Sequence, residues 1–244
     1  MKKTVGFIGA GNMASAIILG MVSSEEFKGS EIEVFDKDES KVKNLCKKAG
    51  VTAASDNGQL IKDCSCIVLA VKPNALNELL KSVGKTMKDE NTFVLSIAAG
   101  QSTEKLREMI GYDLPIVRVM PNVNALSGQA ISGYTKNSLV TDSQLELAKK
   151  MLNCFGKSVE IDESLFSVFS AVAGCSPAYT YLFANALSSV GVAGGLTKAQ
   201  SLEIVCDEMI RQSKEVKDLD ISNEDLKNTV QKALFAAYEK DRKM

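Results

Sequence analysis

Up to about residue 160 the chain alternates short β-like runs with stretches whose apolar residues recur at helical spacing. Runs at 4–8, 31–35, 66–71, 93–97 and 115–120 predict strands, with weaker ones near 51–54 and 157–161. Ile67-Val68-Leu69-Ala70-Val71 is apolar throughout, as expected of a strand covered on both faces. Helical patterns occupy 12–24, 39–49, 57–62, 75–87 and 103–109. Such alternation implies right-handed crossovers and an α/β fold with a doubly wound, mainly parallel sheet. After Asp162 the strand signals end, and Ala, Leu and Met at helical spacing take over. Thr197-Lys198-Ala199-Gln200 reads as a capping box opening a helix expected to reach Lys217. The pattern therefore divides the chain into an α/β domain, residues 1–162, and an all-α domain, residues 163–244. The second is small and rich in Ala, Leu and Val, so it is expected to complete its core against another subunit, as a homodimer.

Composition narrows the chemistry. The 244 residues suffice for two modest domains, and 45% hydrophobic with 24% charged content excludes a disordered or coiled-coil chain. A net charge of -1 provides no field for nucleic acid or an anionic membrane, and neither is expected as a partner. No apolar run approaches the ~18 residues of a membrane span, so none is expected, and strand pattern from Thr4 leaves no room for a leader, so a cytoplasmic protein is expected. There is no His, which excludes a Ser-His-Asp triad, a His-ligated metal and an imidazole acid or base. The six cysteines lack metal or redox spacing; they are expected to be reduced structural thiols, and no metal site is expected.

Gly9-Ala10-Gly11-Asn12-Met13-Ala14 follows a strand at once and opens a helix. Gly9 permits the tight turn, Gly11 lets backbone approach a pyrophosphate, and Ala14 permits close helix–sheet packing. Asp36 ends the next strand about 20 residues on, completing the context of a Rossmann-type dinucleotide site. An acid there accepts hydrogen bonds from ribose hydroxyls and disfavours a 2′-phosphate, which points toward NADH; the adjacent Lys37 could instead meet that phosphate, and Asp36 reads equally as a turn residue. Ala70-Val71-Lys72-Pro73 follows the buried strand, with Lys72 either approaching the cofactor or solvated ahead of a helix-starting Pro. Ala98-Ala99-Gly100 and Met120-Pro121-Asn122 supply small residues and one amide at other strand ends.

Taken in order, Gly-Phe-Ile-Gly-Ala-Gly-Asn-Met at 6–13, Ala70-Val71-Lys72-Pro73, Ser96-Ile97-Ala98-Ala99-Gly100, Arg118-Val119-Met120-Pro121-Asn122 and Ser176-Pro177-Ala178-Tyr179 resemble the pyrroline-5-carboxylate reductase family. The resemblance runs to about Val230 and resumes at Ala237-Tyr238-Glu239-Lys240. It implies a Rossmann domain joined to a helical dimerisation domain, assembled as a homodimer or a ring of dimers. It implies reduction of the small cyclic imino acid 1-pyrroline-5-carboxylate to L-proline by hydride from NADPH or NADH, the last step of proline biosynthesis. By matching position, Gly9, Gly11, Asn12, Met13 and Ala14 would hold the pyrophosphate, Asp36 and Asn57 the adenosine side. Ala70 and Val71 would contact the cofactor, with Lys72, Pro73 and Ala98 on its nicotinamide side. Asn122 and Ser170 would face the reaction, and Asp220 falls where the family often has a Glu. Ser170 reads either as a proton donor or as a helix hydroxyl bonded to its own backbone; Asp220 reads either as a stabiliser of the cationic imine or as a solvated residue. A cyclic imine is basic enough to take a proton from water or a hydroxyl, so the absent imidazole is no obstacle.

The chain departs from the family pattern at three places. Asn122-Val123-Asn124 replaces Asn-Thr-Pro, and Ala173-Gly174-Cys175-Ser176-Pro177 replaces Ser-Gly-Ser-Gly-Pro. After Val230 the family continues into a Ser-Pro-Gly-Gly-Thr-Thr loop and a helix, whereas this chain passes straight to Gln231. Flanking segments match closely, so a segment missing from the sequence is expected over an evolved deletion. The alternatives are a reductase of another small imine or oxo acid and, with a true deletion, a non-catalytic nucleotide sensor, because the substrate carboxylate would lose hydrogen bonds.

Overall fold

The computed structural model describes residues 2–212; Asp220, the extension of the last helix to Lys217 and the Val230–Gln231 junction lie outside the described residues. Strands β1 (Lys3–Ile8), β2 (Ile32–Phe35), β3 (Thr52–Ala53), β4 (Cys64–Leu69), β5 (Phe93–Ser96), β6 (Ile116–Met120), β7 (Ala130–Lys136) and β8 (Gly156–Glu160) form one sheet of order β3-β2-β1-β4-β5-β6-β7-β8. All pairings are parallel except β6 with β7. Helices α1 (Asn12–Ser23), α2 (Glu39–Ala49), α3 (Asn57–Asp63), α4 (Pro73–Asp89) and α5 (Thr103–Ile110) connect the successive parallel strands, and α6 (Asp142–Asn153) connects β7 to β8. The order reverses at β1 and β4, the place where open α/β sheets form a ligand crevice.

Period-two alternation along the strands sends side chains to two cores. Phe7, Val34, Cys66 and Val68 pack on one face with Ile18 and Phe155, while Ile8, Ile67 and Leu69 pack on the other with Leu60, Leu76 and Leu80. Cys64 and Cys66 lie within this buried strand. Burial, then the neighbouring Glu33 carboxylate, pushes the Cys64 thiol up to about 12, and burial pushes Cys66 higher still. All six cysteines are free thiols in the structure.

Four elements depart from the sequence reading. β4 runs Cys64–Leu69, starting and ending earlier than its apolar run suggests, and α4 starts at Pro73 because Pro is favoured at the first helical position. β7 and α6 were not expected at all. At Gly133, in the middle of β7, a Cβ would come within 2.9 Å of the Phe169 ring and Ile161, so the strand needs its glycine for packing. The link from Met120 to Ala130 is too short for a crossover helix, and β7 therefore runs antiparallel to β6.

The helical region begins with α7 (Phe166–Phe169), passes through a π turn (Ser170–Gly174) and continues as α8 (Ser176–Ala193). Helix α9 (Lys198–Gln212) opens at the expected capping box: the Gln200 amide donates to Thr197 Oγ1 at 3.2 Å, and the Thr197 amide donates to Gln200 Oε1 at 3.0 Å. It packs on α8 through Ser201 Oγ, which donates to the Ser188 carbonyl at 2.7 Å. The run Glu163–Ala193 is long and apolar enough to cross a membrane by length and composition alone. No charged residue occurs from Ser164 to Thr197, a stretch that counting uninterrupted apolar residues overlooked because Ser, Gly and Asn punctuate it. Tyr181, Leu182, Phe183, Leu187 and Val190 on α8 are exposed.

Candidate functional site

The chain leaves β1 at Ile8 and turns through Gly9, Ala10 and Gly11 into α1. Gly9 has φ +108, and a Cβ there would sit 2.6 Å from the Ala70 carbonyl oxygen; this glycine is demanded by the fold itself. The Gly9 amide donates to Phe35 O at 2.7 Å and the Ala70 amide to Ile8 O at 2.9 Å, so the tips of β1, β2 and β4 are tied together. Gly11 differs. Its φ of -69 suits any residue, and a Cβ would meet nothing within 4 Å. Its missing side chain leaves open space over the start of α1, where no side chain caps the free amides. Those amides and the positive end of the helix suit a phosphate. Asn12 is exposed, Met13 packs partly against the core and Ala14 is buried beneath the turn, so Ala14 contributes backbone only.

Asp36 stands at the tip of β2 facing this turn. Its Oδ2 accepts from the Ala10 amide at 2.7 Å and its Oδ1 from the Asp38 amide at 2.9 Å. A cleft of about 290 Å³ opens beside it, lined by Gly9, Asp36, Lys37, Asn57, Val71 and Glu78 among others. The Asn57 Oδ1 atom is buried and has no hydrogen-bond partner. An orphaned acceptor costs on the order of 1–3 kcal/mol, which a ligand donor would relieve. Glu78 escaped the sequence reading. The signal was present, since Ala75, Glu78, Leu79 and Ser82 lie at i, i+3, i+4 and i+7 on α4 and all line the cleft. Lys72, the residue before Pro73, is extended at φ -63, ψ 146, and both residues are exposed and outside the lining of this cleft. Ala98 is buried beyond β5, its amide donating to Ser96 Oγ at 3.3 Å.

Asn122 and Ser170 come from opposite sides of the domain junction, and Asn122 bonds the π turn to which Ser170 belongs. Asn122 follows β6, is 6% exposed, and donates from Nδ2 to the Ala173 carbonyl at 3.0 Å; its Oδ1 is buried without a partner. Ser170 is 7% exposed, and its carbonyl accepts from the Cys175 amide at 3.0 Å, the five-residue spacing of a π turn. A Cβ added to Gly174 would lie 3.6 Å from Ser170 Oγ and 3.3 Å from Met120. An alanine there would touch the hydroxyl at ordinary contact distance and press only on the Met120 side chain.

The junction is held by a cluster the sequence reading also missed. Glu163 Oε1 accepts from the Thr103 amide at 2.8 Å and from Arg118 Nη1 at 3.2 Å, while Thr103 Oγ1 donates to Glu163 Oε2 at 2.7 Å. The Arg118 guanidinium lies 4.1 Å from the centre of the Phe166 ring. These residues are far apart in sequence, so no local pattern links them.

Comparison with known proteins agrees with both halves. Residues 4–100 match the family described as NADP oxidoreductase coenzyme F420-dependent, and residues 163–231 match pyrroline-5-carboxylate reductase dimerisation. The chain is 32% identical to pyrroline-5-carboxylate reductase of Escherichia coli strain K12 over 88% of this chain and 80% of that one. It is 34% identical to the reductase of Aquifex aeolicus strain VF5, over 91% and 81% respectively. Among solved structures, Plasmodium falciparum pyrroline carboxylate reductase with NADP bound superposes with TM-score 0.87 at 27% identity, covering 98% of this chain and 97% of that one. The Streptococcus pyogenes 1-pyrroline-5-carboxylate reductase does so with TM-score 0.82 at 28% identity, covering 99% and 98%. A glycine turn facing a carboxylate just past β2, a π turn bound to the loop after β6, and this degree of likeness along most of the sequence place the chain in the pyrroline-5-carboxylate reductase family.

Proposed function

We propose that the chain reduces 1-pyrroline-5-carboxylate to L-proline with NAD(P)H, as the final step of proline biosynthesis. The observation that carries this reading, within a family member, is the buried Asn122, one of its polar atoms bonded to the π turn that contains Ser170 and the other unpartnered. In this reading residues 1–162 form the dinucleotide-binding domain and residues 163–244 the helical dimerisation and substrate domain. Gly9, Gly11, Asn12, Met13 and Ala14 hold the pyrophosphate through backbone, and Asp36 and Asn57 hold the adenosine side. Ala70, Val71, Lys72, Pro73 and Ala98 contact the rest of the cofactor toward its nicotinamide. The bound nicotinamide supplies hydride to the imine carbon.

The protein's own work is to position and to protonate. Ser170, held in a short buried turn, offers its hydroxyl to the ring nitrogen as donor or relay. Asn122 Oδ1 accepts an N–H and, through the Ala173 contact, sets the distance between the β6 loop and the turn. Holding reactants at 3–3.5 Å is worth about 7–11 kcal/mol of barrier, enough to make a dedicated imidazole unnecessary. Asp220 keeps its proposed role of stabilising the cationic imine on its sequence position alone. Oligomerisation follows from the dimerisation region, whose apolar α8 face we assign to a second copy of the chain, as a homodimer or a ring of dimers in the cytoplasm. The test is oxidation of NADH or NADPH by the purified full chain with pyrroline-5-carboxylate, with proline measured as product. No proline with either cofactor would overturn the reading.

A further inference from the structure

We propose that this chain selects NADH over NADPH, with Asp36 as the discriminating side chain and Glu78 as its reinforcement. The inference rests on reading the cleft as the adenosine end of the dinucleotide site and goes further, by assigning which dinucleotide fits. The two cofactors differ in one group: NADH presents a ribose 2′-hydroxyl, a donor, where NADPH presents a 2′-phosphate, an acceptor of charge near -2 at pH 7.

The polar groups of the cleft are matched to donors. Asp36 cannot swing away from an incoming phosphate, because one carboxylate oxygen is bound by the Ala10 amide at 2.7 Å and the other by the Asp38 amide at 2.9 Å. Each oxygen keeps a free lone pair, and together they form a fixed pair of acceptors for vicinal hydroxyls. Asn57 Oδ1, buried and unpartnered in the same cleft, is a third acceptor in need of a donor. Glu78 adds a second carboxylate from α4. The only cation among the cleft-lining residues is Lys37, an exposed ammonium on a flexible stem. A 2′-phosphate would therefore meet one anchored and one nearby carboxylate, with a single mobile counter-charge. Like-charge juxtaposition of this kind suppresses the wrong ligand, beside the contacts that favour its rival.

The test is binding without substrate: calorimetric titration of the purified full chain with NADH and with NADPH. NADH is expected to bind at least about tenfold tighter, the discrimination a single unfavourable charge contact supplies. Asp36→Asn keeps a carbonyl acceptor for the Ala10 amide while removing the charge, and it should shrink the ratio to within about threefold, mainly by strengthening NADPH. Glu78→Gln, on an exposed helix face and neutral to folding, should shrink it by a smaller factor. Equal or tighter binding of NADPH by the unmodified chain would overturn the selectivity, as would a ratio unmoved by Asp36→Asn. Binding of neither dinucleotide would instead overturn the underlying reading of the cleft.

Discussion

The side-chain amide of Asn122 donates to the carbonyl of Ala173 at 3.0 Å and so ties the loop after β6 to the π turn that carries Ser170. The bond crosses between the α/β and helical parts of the chain. Its two partners are brought together by the fold alone.

Asn122→Ala removes that bond, with an expected stability loss of about 0.5–1.5 kcal/mol. The catalytic effect should be larger, on the order of a hundredfold in kcat, since a shift of about 1 Å in a reacting geometry costs that much. Steady-state kinetics beside urea unfolding separates the two. A fall in stability with full turnover would mean that the bond only holds the domains together.

Gly9 and Gly11 should respond oppositely. Gly9→Ala forces a Cβ to 2.6 Å from the Ala70 carbonyl at φ +108, so it should cost about 1–3 kcal/mol of stability and lower the melting temperature. Gly11→Val meets no atom of the protein, so the melting temperature should change little while dinucleotide affinity falls at least about tenfold. Thermal unfolding and cofactor titration on both variants check the pair.

Glu163→Gln keeps an acceptor for Thr103 but leaves the Arg118 guanidinium without its counter-charge. With side chains 12% and 31% exposed, this pair lies between buried and surface ion pairs, and a loss of about 1–2 kcal/mol is expected. Raising salt should narrow the gap between the two proteins only slightly. A gap that vanishes at high salt would mean the pair is solvated in solution.

Cys64 ties stability to alkaline pH. Its thiol is raised in the fold from the ordinary 9.0 to about 12, so the folded state retains a proton that the unfolded chain releases. That contribution is fully present below pH 9 and is lost as pH rises toward 12. Unfolding midpoints followed from pH 8 to 11 should fall more steeply for the unmodified protein than for Cys64→Ala. In the native state at pH 8, iodoacetamide should leave both Cys64 and Cys66 unmodified.

A charge on the α8 face should break the assembly. Leu182 is 69% exposed and Val190 71% exposed in the single chain. Leu182→Glu is expected to convert a dimer or higher ring to monomer in sedimentation, with the α/β half still folded. An unchanged assembly would place the subunit contact elsewhere.

The sheet and its glycine turn were legible in the sequence because they rest on local physics. Period-two alternation sends Phe7 and Val68 to one core and Ile8 and Leu69 to the other, and a strand, two glycines and a helix in succession leave few conformations. Thr197 and Gln200 likewise announce their helix by spacing. β7 was hidden because Gly133 answers to Phe169, a partner beyond the next strand, and local propensity carries no record of that contact.

The site divides the same way. That Gly9, Gly11 and Asp36 belong to one turn could be read from their order, but only the folded chain shows which glycine serves the fold and which leaves room for a ligand. The residue types at 36, 57 and 78 were in the sequence from the start; that three acceptors share one cleft with a single lysine was not, because α3, α4 and β2 are brought together only by the sheet order. Glu163, Thr103 and Arg118 are the plainest case. Their attraction depends on separations in space, which the chain settles only by burying its two cores.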